Sequence, residues 1–265
     1  MNDLRESFNF TNKVIVLAGG NGFIGSALTK YLSKLNAITI ILDKNIKHSE
    51  ELQNVYYVET IQNFTQESIK QVIDSIELEY GPISGLVNCM TKKVNDNAIY
   101  FSGVADYSLS AWQEIIQGNL DNSFLLCREI GLRMVDRHEG SIINFCSIYG
   151  AEMGPDLRIY NDSLIGSQVM TTPIPYSVSK GGIQALTKHL ATTWAKYGVR
   201  VNSISPGGIY NNQNKEFVKS YSSRVPLGRM ADIEEIIGLP IFLLSPLSSY
   251  ITGQNIFVDG GLSAW

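Results

Sequence analysis

An uninterrupted apolar run, Val14-Ile-Val-Leu-Ala18, passes directly into Gly19-Gly-Asn-Gly22-Phe-Ile-Gly25 and then into a helical pattern that reaches about Leu35. A strand with no polar position has no face to offer water, so it belongs inside a parallel sheet covered on both sides. Glycines in the turn let it close tightly, let the main chain approach a ligand, and let the next helix sit close on the strand. That helix presents its N-terminus to whatever the turn holds, and an N-terminus favours an anion. The chain is thereby committed to a βα unit that suits the pyrophosphate of a dinucleotide.

The rest of the sequence continues the rhythm. Strand-like runs at Ile38–Leu42, Val55–Val58, Gly85–Asn88, Ser141–Cys146, Arg200–Ile204 and Asn255–Val258 alternate with helical patterns. The helices are expected at Glu67–Glu79, Ala111 to about Arg137, Tyr176 to about Tyr197 with Gly198 at its end, and Ile233–Leu244 opened by Asp232. This alternation implies right-handed crossovers: an α/β fold, a Rossmann-type doubly wound parallel sheet in a three-layer α/β/α arrangement. No repeat or low-complexity linker marks a second domain, so the expectation is a single domain over 1–265. Thr91–Ser110, Gly150–Pro175 and Pro206–Arg224 break the pattern and are expected as loops on the carboxyl side of the sheet, where such folds bind ligands.

Composition excludes several functions. A net charge of −4 with 17% charged residues gives no basic surface for nucleic acid or an anionic membrane. No apolar stretch is long enough to span a bilayer, and the opening MNDLRESFNF lacks a positive leader before an apolar segment, so a cytoplasmic location is expected. Cys89, Cys127 and Cys146 read as reduced thiols rather than disulfides. They and the scattered His48, His138 and His189 suggest no metal site.

Asp43 closes the second strand, where a carboxylate can accept hydrogen bonds from both ribose hydroxyls of NAD(H) and would repel the 2′-phosphate of NADP(H). NAD is therefore favoured, with Lys44 as the neighbour that would ease a phosphate. Tyr176-Ser-Val-Ser-Lys180 places a phenol and an ammonium one turn apart on a helix face, and a nearby cation favours the phenolate. Ser147 follows an apolar strand and Asn119 lies in the helix before it.

In that order, the glycine turn, Asn119, Ser147, Tyr176 and Lys180 resemble the short-chain dehydrogenase/reductases in their single-domain subclass, over nearly the whole chain. Arg200-Val-Asn-Ser-Ile-Ser-Pro206-Gly207, Val225-Pro-Leu-Gly-Arg229, Ile251-Thr-Gly-Gln254 and Val258-Asp-Gly-Gly261 resemble that family's later signatures. The resemblance implies that Tyr176 exchanges the substrate proton and that Lys180 lowers its pKa and holds the nicotinamide ribose. It implies that Ser147 binds the substrate oxygen and that Asn119 holds a water leading from Lys180 to solvent. Gly19, Asn21, Gly22, Phe23, Ile24, Gly25 and Asp43 would hold the adenosine and phosphates. Pro206, Gly207 and Ile209 would bracket the nicotinamide, and Asn88 would brace the sheet. Small-molecule substrate and a homo-oligomer, dimer or tetramer, follow from the same resemblance, with apolar faces at Ala111–Arg137 and Thr187–Tyr197 as candidate interfaces.

Three departures set the chain apart. The glycine spacing with Phe23 resembles the epimerases and dehydratases that hold NAD tightly, an alternative beside a non-catalytic NAD(H) sensor. Asn88-Cys-Met-Thr91 replaces the family's Asn-Asn-Ala-Gly. The interval from Ser147 to Tyr176 is 29 positions, more than double the family's usual one, and delivers Met170-Thr-Thr-Pro to the edge of the tyrosine. With Ser-Ile-Tyr-Gly before it, this insertion looks most like the flagellin modification protein A group of oxidoreductases. Tyr149, Met170, Thr171 and Thr172 are the expected substrate contacts. Tyr100, Phe101, Tyr107 and Tyr160 are candidates to stack on a sugar, and Asn95 and Asn97 to bond its hydroxyls. Asp156, Asn161 and Asp162 add to the insertion's polarity, and Arg158, Lys215, Lys219 and Arg224 are candidate phosphate anchors. The expected activity is interconversion of a secondary alcohol and a ketone on a sugar, sugar phosphate or nucleotide sugar of bacterial surface-glycan biosynthesis.

Overall fold

Side chains alternate across a strand, so the five apolar residues of Val14–Ala18 must find cover on both faces. A computed structural model, describing residues 4, 6–46, 52–60, 64–160, 164–165 and 168–265, shows how. Its main sheet runs through β1 (Val14–Ala18), β2 (Ile38–Asp43), β3 (Val55–Glu59), β4 (Ile83–Asn88), β5 (Gly140–Phe145), β6 (Val199–Pro206) and β7 (Asn255–Val258). The helices that position the site are α1 (Phe23–Lys34), α2 (Gln66–Tyr80), α3 (Leu109–Ile116), α4 (Asn122–Arg137), α5 (Ile174–Trp194), α6 (Lys215–Ser222) and α7 (Ile233–Leu244).

The strand order is β3-β2-β1-β4-β5-β6-β7, every pairing parallel. Val14, Val16 and Ala18 pack toward Ile69, Ile73 and Ile76 of α2 and Ile130 and Met134 of α4. Ile15 and Leu17 pack on the other face with Leu28 and Leu32 of α1 and Ile236 and Ile237 of α7. Each such side chain contributes about 1.5 to 3 kcal/mol of burial. This is the expected three-layer α/β/α fold, with the order reversing between β1 and β4, where a ligand crevice opens beyond the strand ends.

Local signals explain the helix ends. The Thr65 and Ser68 side chains each accept the other's backbone N–H, at 3.1 and 2.9 Å, which opens α2. Glu235 reaches back to the Asp232 N–H at 2.9 Å at the start of α7. Gly198 ends the segment after α5 with φ of 74°.

Two expectations change. The single helix foreseen from Ala111 to Arg137 is interrupted by a π-helical stretch, Gln117–Asp121, which carries Asn119; one wide turn shifts the pattern by a single residue without a polar break, too little for periodicity to mark a boundary. The segment Pro206–Arg224 is not wholly a loop, because Lys215–Ser222 forms α6, opened by Asn214 Oδ1 accepting from Phe217 N at 2.7 Å. The insertion itself holds a short 3₁₀ turn at Leu157–Tyr160 and a small antiparallel pair, Leu164–Ile165 with Gln168–Val169. The apolar face of Thr187–Tyr197 is turned inward: Leu190, Ala191 and Trp194 belong to the core.

Gly25 shows how tightly α1 sits on the turn. A Cβ there would stand 2.6 Å from both the Gly19 carbonyl oxygen and the Gly20 Cα, main-chain atoms that have no side room to give. Gly25→Ala is expected to cost about 1 to 3 kcal/mol, lowering the thermal midpoint followed by circular dichroism by several degrees. An unchanged midpoint would show that α1 can ride outward freely.

Candidate active site

The first half of the site follows from the turn. Gly22 caps α1 without a side chain, so the helix N-terminus opens toward the crevice. The Asp43 carboxylate at the end of β2 accepts the Asn21 N–H at 3.1 Å and the Asn45 N–H at 3.2 Å, one on each oxygen. Asn21 Nδ2 also donates to the Asn45 carbonyl at 2.5 Å. The acid is thus held by the turn it serves, with lone pairs left over for a ligand. A cleft of about 1080 Å³ runs from here to Tyr176, large enough for an extended dinucleotide. Gly19, Asn21, Gly22, Phe23, Ile24, Gly25, Asp43, Pro206, Gly207 and Ile209 all line it. Asn88 does not. It lies behind the wall, donating to Ser123 Oγ at 2.8 Å and Asn144 Oδ1 at 3.3 Å and accepting from Met90 N at 3.2 Å. Those bonds tie β4 to β5 and α4.

At the other end of the cleft, Ser147 follows β5 and accepts the Tyr149 N–H at 3.2 Å. Gly150, with φ of 88°, lets this turn meet α5: a Cβ there would fall 1.9 Å from the Ser177 carbonyl oxygen. The contact holds the Ser147 turn against the helix that carries Tyr176, and both side chains line the cleft. Lys180 is buried, its Nζ donating to the Phe145 carbonyl at 2.8 Å and, more weakly, the Met90 carbonyl at 3.4 Å. It stands 5.9 Å from the Tyr176 ring centre.

Electrostatics here differ from the expectation that Lys180 lowers the tyrosine. Burial pushes the Tyr176 phenol above its ordinary value; the bond to Ser147 draws it back, and Cys146 and Tyr160 add to the rise. Burial likewise holds the Lys180 ammonium below its ordinary value, opposed by the thiols of Cys146 and Cys89. Those thiols are themselves pushed up to about 11 and about 12, mainly by burial, and stay protonated.

Asn119 is fully buried, and its side chain is committed: Oδ1 accepts the Lys92 N–H at 2.6 Å, and Nδ2 donates to Ser179 Oγ at 3.1 Å. The residue therefore clamps the strand-end loop to α5.

The insertion and α6 roof the site. Tyr160 and Thr172 share a hydroxyl hydrogen bond of 3.0 Å, and both line the cleft with Tyr149 and Met170. Thr171 faces away. Its Oγ1 donates to the Ser102 carbonyl at 3.0 Å and the Phe101 carbonyl at 3.2 Å, which pins the insertion to the Thr91–Ser110 loop. Tyr100 and Phe101 line the cleft; Tyr107, Asn95 and Asn97 do not. Asn161, Asp162 and His48 lie outside the described residues. The candidate phosphate anchors are placed elsewhere: Arg158 and Arg224 both pair with Asp156, and Lys215 and Lys219 lie off the cleft. Asp156, Arg224 and the 5.9 Å ring contact of Tyr160 with Phe217 join the insertion to α6. Tyr221 then anchors α6, its hydroxyl accepting the Gly208 N–H at 2.5 Å. Among the described residues no three His, Cys, Asp or Glu side chains gather as a metal site, and no helix is long and apolar enough to cross a membrane.

Comparison with known proteins decides the family. Residues 13–172 match the short chain dehydrogenase model, and residues 159–263 match one described as enoyl-(acyl carrier protein) reductase. The chain belongs to the short-chain dehydrogenase/reductase family. It is an NAD(P)-dependent oxidoreductase. Among its relatives, 5-keto-D-gluconate 5-reductase of Escherichia coli K12 is 30% identical, the match covering 99% of this chain and 98% of the relative. Post-translational flagellin modification protein A of Campylobacter coli is 32% identical, covering 94% and 98%. A short chain dehydrogenase from Leptospira borgpetersenii, solved with bound NAD+, superposes with a TM-score of 0.87 at 33% identity, covering 99% of this chain and 97% of that one. The resemblance read from the motifs, including that to the flagellin modification protein A group, is borne out at the level of family.

What the sequence did not disclose is Lys93, which lines the cleft beside Tyr100, and the anchoring of α6 by Tyr221. Nothing in the one-dimensional pattern separates Lys93 from a solvated loop lysine.

A buried lysine with a depressed pKa binds fewer protons folded than unfolded, so between that depressed value and the ordinary 10.5 stability rises with pH. The raised Tyr176 acts oppositely, only above its ordinary 10.0. The thermal midpoint of cofactor-free protein is therefore expected to climb less from neutral to mildly alkaline pH in Lys180→Met than in the natural chain. Parallel midpoint curves would place the lysine charge outside the fold's proton balance.

Proposed function

We propose that this chain is an NAD(H)-dependent oxidoreductase that interconverts a secondary alcohol and a ketone on a sugar or sugar derivative. The observation carrying it is the gathering of Ser147, Tyr176 and Lys180 in one cleft with the glycine turn and Asp43. When bound, NAD(H) supplies the hydride acceptor or donor. Gly22 and the N-terminus of α1 would receive its phosphates, and the Asp43 carboxylate its adenosine ribose. That carboxylate opposes a 2′-phosphate, which supports NAD(H) over NADP(H), although exposed Lys44 stands beside it.

Ser147 is placed to hold the carbinol or carbonyl oxygen, and Tyr176 to take its proton in oxidation and return it in reduction. Lys180 would stabilise the phenolate once oxidation begins, and its hydrogen bond to the Phe145 carbonyl keeps it in place for that. Asn119 serves this reaction by fixing the loop and helix on either side of the lysine rather than by touching substrate.

A sugar-like substrate is supported by the mixture of phenol rings and hydroxyls at this end of the cleft, Tyr100, Tyr149, Tyr160 and Thr172, which suits stacking and hydroxyl recognition together. The relatives acting on keto-gluconate and on flagellin modification support the same class, the latter favouring a role in surface-glycan supply. Such an enzyme would draw on the cytoplasmic NAD(H) pool. Phe124 and Leu132, exposed on α4, and Val178, exposed on α5, offer apolar surface for a homo-oligomer.

Tyr176→Phe is expected to cut turnover by about 10² to 10⁴ while NADH binding stays near normal, as followed by a screen of polyols, sugar acids and sugar phosphates at the NADH absorbance. Retained turnover would remove Tyr176 from the mechanism. Asp43→Ala is expected to weaken NAD(H) about tenfold with a much smaller effect on NADP(H). Equal losses for both, measured by fluorescence titration, would undo the cofactor preference.

A further inference from the structure

Sorting the charged residues of the cleft by position and by what already engages them leaves one side chain over at the substrate end. Four cations line it: Lys44, Lys92, Lys93 and Lys180. Lys44 adjoins Asp43 at the adenosine end. Lys180 is committed to the carbonyls of Phe145 and Met90. Lys92 is almost wholly buried and pairs with Glu114 at 2.9 Å. Lys93 is exposed to the cleft mouth and, among the described residues, meets no carboxylate. Its ammonium lies 5.8 Å from the centre of the Tyr100 ring.

Tyr100 connects Lys93 to the reaction centre. The ring is buried and lines the cleft together with Tyr176 and Ser147. A substrate whose reacting carbon rests against Tyr176 and Ser147 can follow the Tyr100 ring outward and bring its far end to the ammonium. The loop bearing Lys93 is held there, because the preceding residue's N–H is fixed by Asn119 Oδ1 at 2.6 Å. Meanwhile Arg158 of the insertion and Arg224 beyond α6 are both engaged by Asp156, and neither lines the cleft. Asp43, at the distant end, is the one carboxylate lining the cleft among the described residues.

We propose that Lys93 is a specificity-determining residue that binds the carboxylate of a sugar-acid substrate, with the reacting carbon and the carboxylate at opposite ends of the molecule. This rests on the sugar oxidoreductase reading and names the substrate class within it. A carboxylate is favoured over a phosphate because a single ammonium supplies the charge. No guanidinium fork or second free cation stands beside it to match a dianion.

The test compares D-gluconate, D-glucitol and D-glucose 6-phosphate as substrates with NAD+, in the natural enzyme, Lys93→Met and Lys93→Arg. In parallel, D-gluconate is titrated into the enzyme–NADH complex and followed by NADH fluorescence, a signal that needs no turnover. The natural enzyme is expected to prefer gluconate to glucitol in kcat/KM. Lys93→Met should lower that ratio and the affinity for gluconate about tenfold, and Lys93→Arg should keep most of both. A ratio and affinity unchanged in Lys93→Met, or a preference for the phosphate ester, overturns the proposal while leaving the oxidoreductase reading intact. Gluconate binding that depends on Lys93 with no turnover of any sugar supports the anion site and sinks the sugar oxidoreductase reading instead.

Discussion

The hydrogen bond from Lys180 to the Phe145 carbonyl holds the arrangement together. It takes an ammonium out of water, which is costly, and sets it against the carboxyl end of β5 just before the chain turns into Ser147. With the weaker bond to Met90 it joins α5 to the ends of two neighbouring strands, β4 and β5. Ser147, Tyr176 and the strand-end loop therefore share one reference point. The close approach at Gly150 then removes the slack between Ser147 and α5. Burial favours the uncharged form of both ionisable groups, Tyr176 and Lys180.

Asn119 shows how a wide turn serves such a site. Within the π-helical stretch its side chain is directed to two acceptor and donor groups that belong to different elements, Lys92 N and Ser179 Oγ. An ordinary helical turn would aim the same residue one step around the axis and lose one of them. The price is a break in helical hydrogen bonding, offset by bonds of the asparagine itself.

Much of the fold was legible because its signals are local. Apolar runs bounded by glycine, Asp232 before α7 and Gly198 after α5 each act through neighbouring residues. The dinucleotide end of the site was equally legible, since the glycine turn and Asp43 lie on consecutive strands whose pairing is dictated by topology. The substrate end was less so. Arg158 and Arg224 read as free anchors, yet both are engaged by Asp156, 2 positions from the first but 68 from the second, a separation that no local pattern bridges. Thr171 and Thr172 are neighbours with opposite duties, one tethering Phe101 and Ser102 and the other facing the cleft. Only the path of the insertion, which has no local code, separates them. The helix Lys215–Ser222 was hidden for a similar reason: it is short and polar, and its stability comes from rings packed beneath the insertion.

The tether of Thr171 to the Phe101 and Ser102 carbonyls makes the roof a composite part. Two loops that arise after different strands are fastened to each other, and the Asp156 pair with Arg224 fastens a third segment. Modular exchange of the insertion alone, into this scaffold or out of it, would leave backbone carbonyls of the recipient without their donor and an arginine without its acid. The unit that can be transplanted to alter what the enzyme accepts is the trio of segments, moved together.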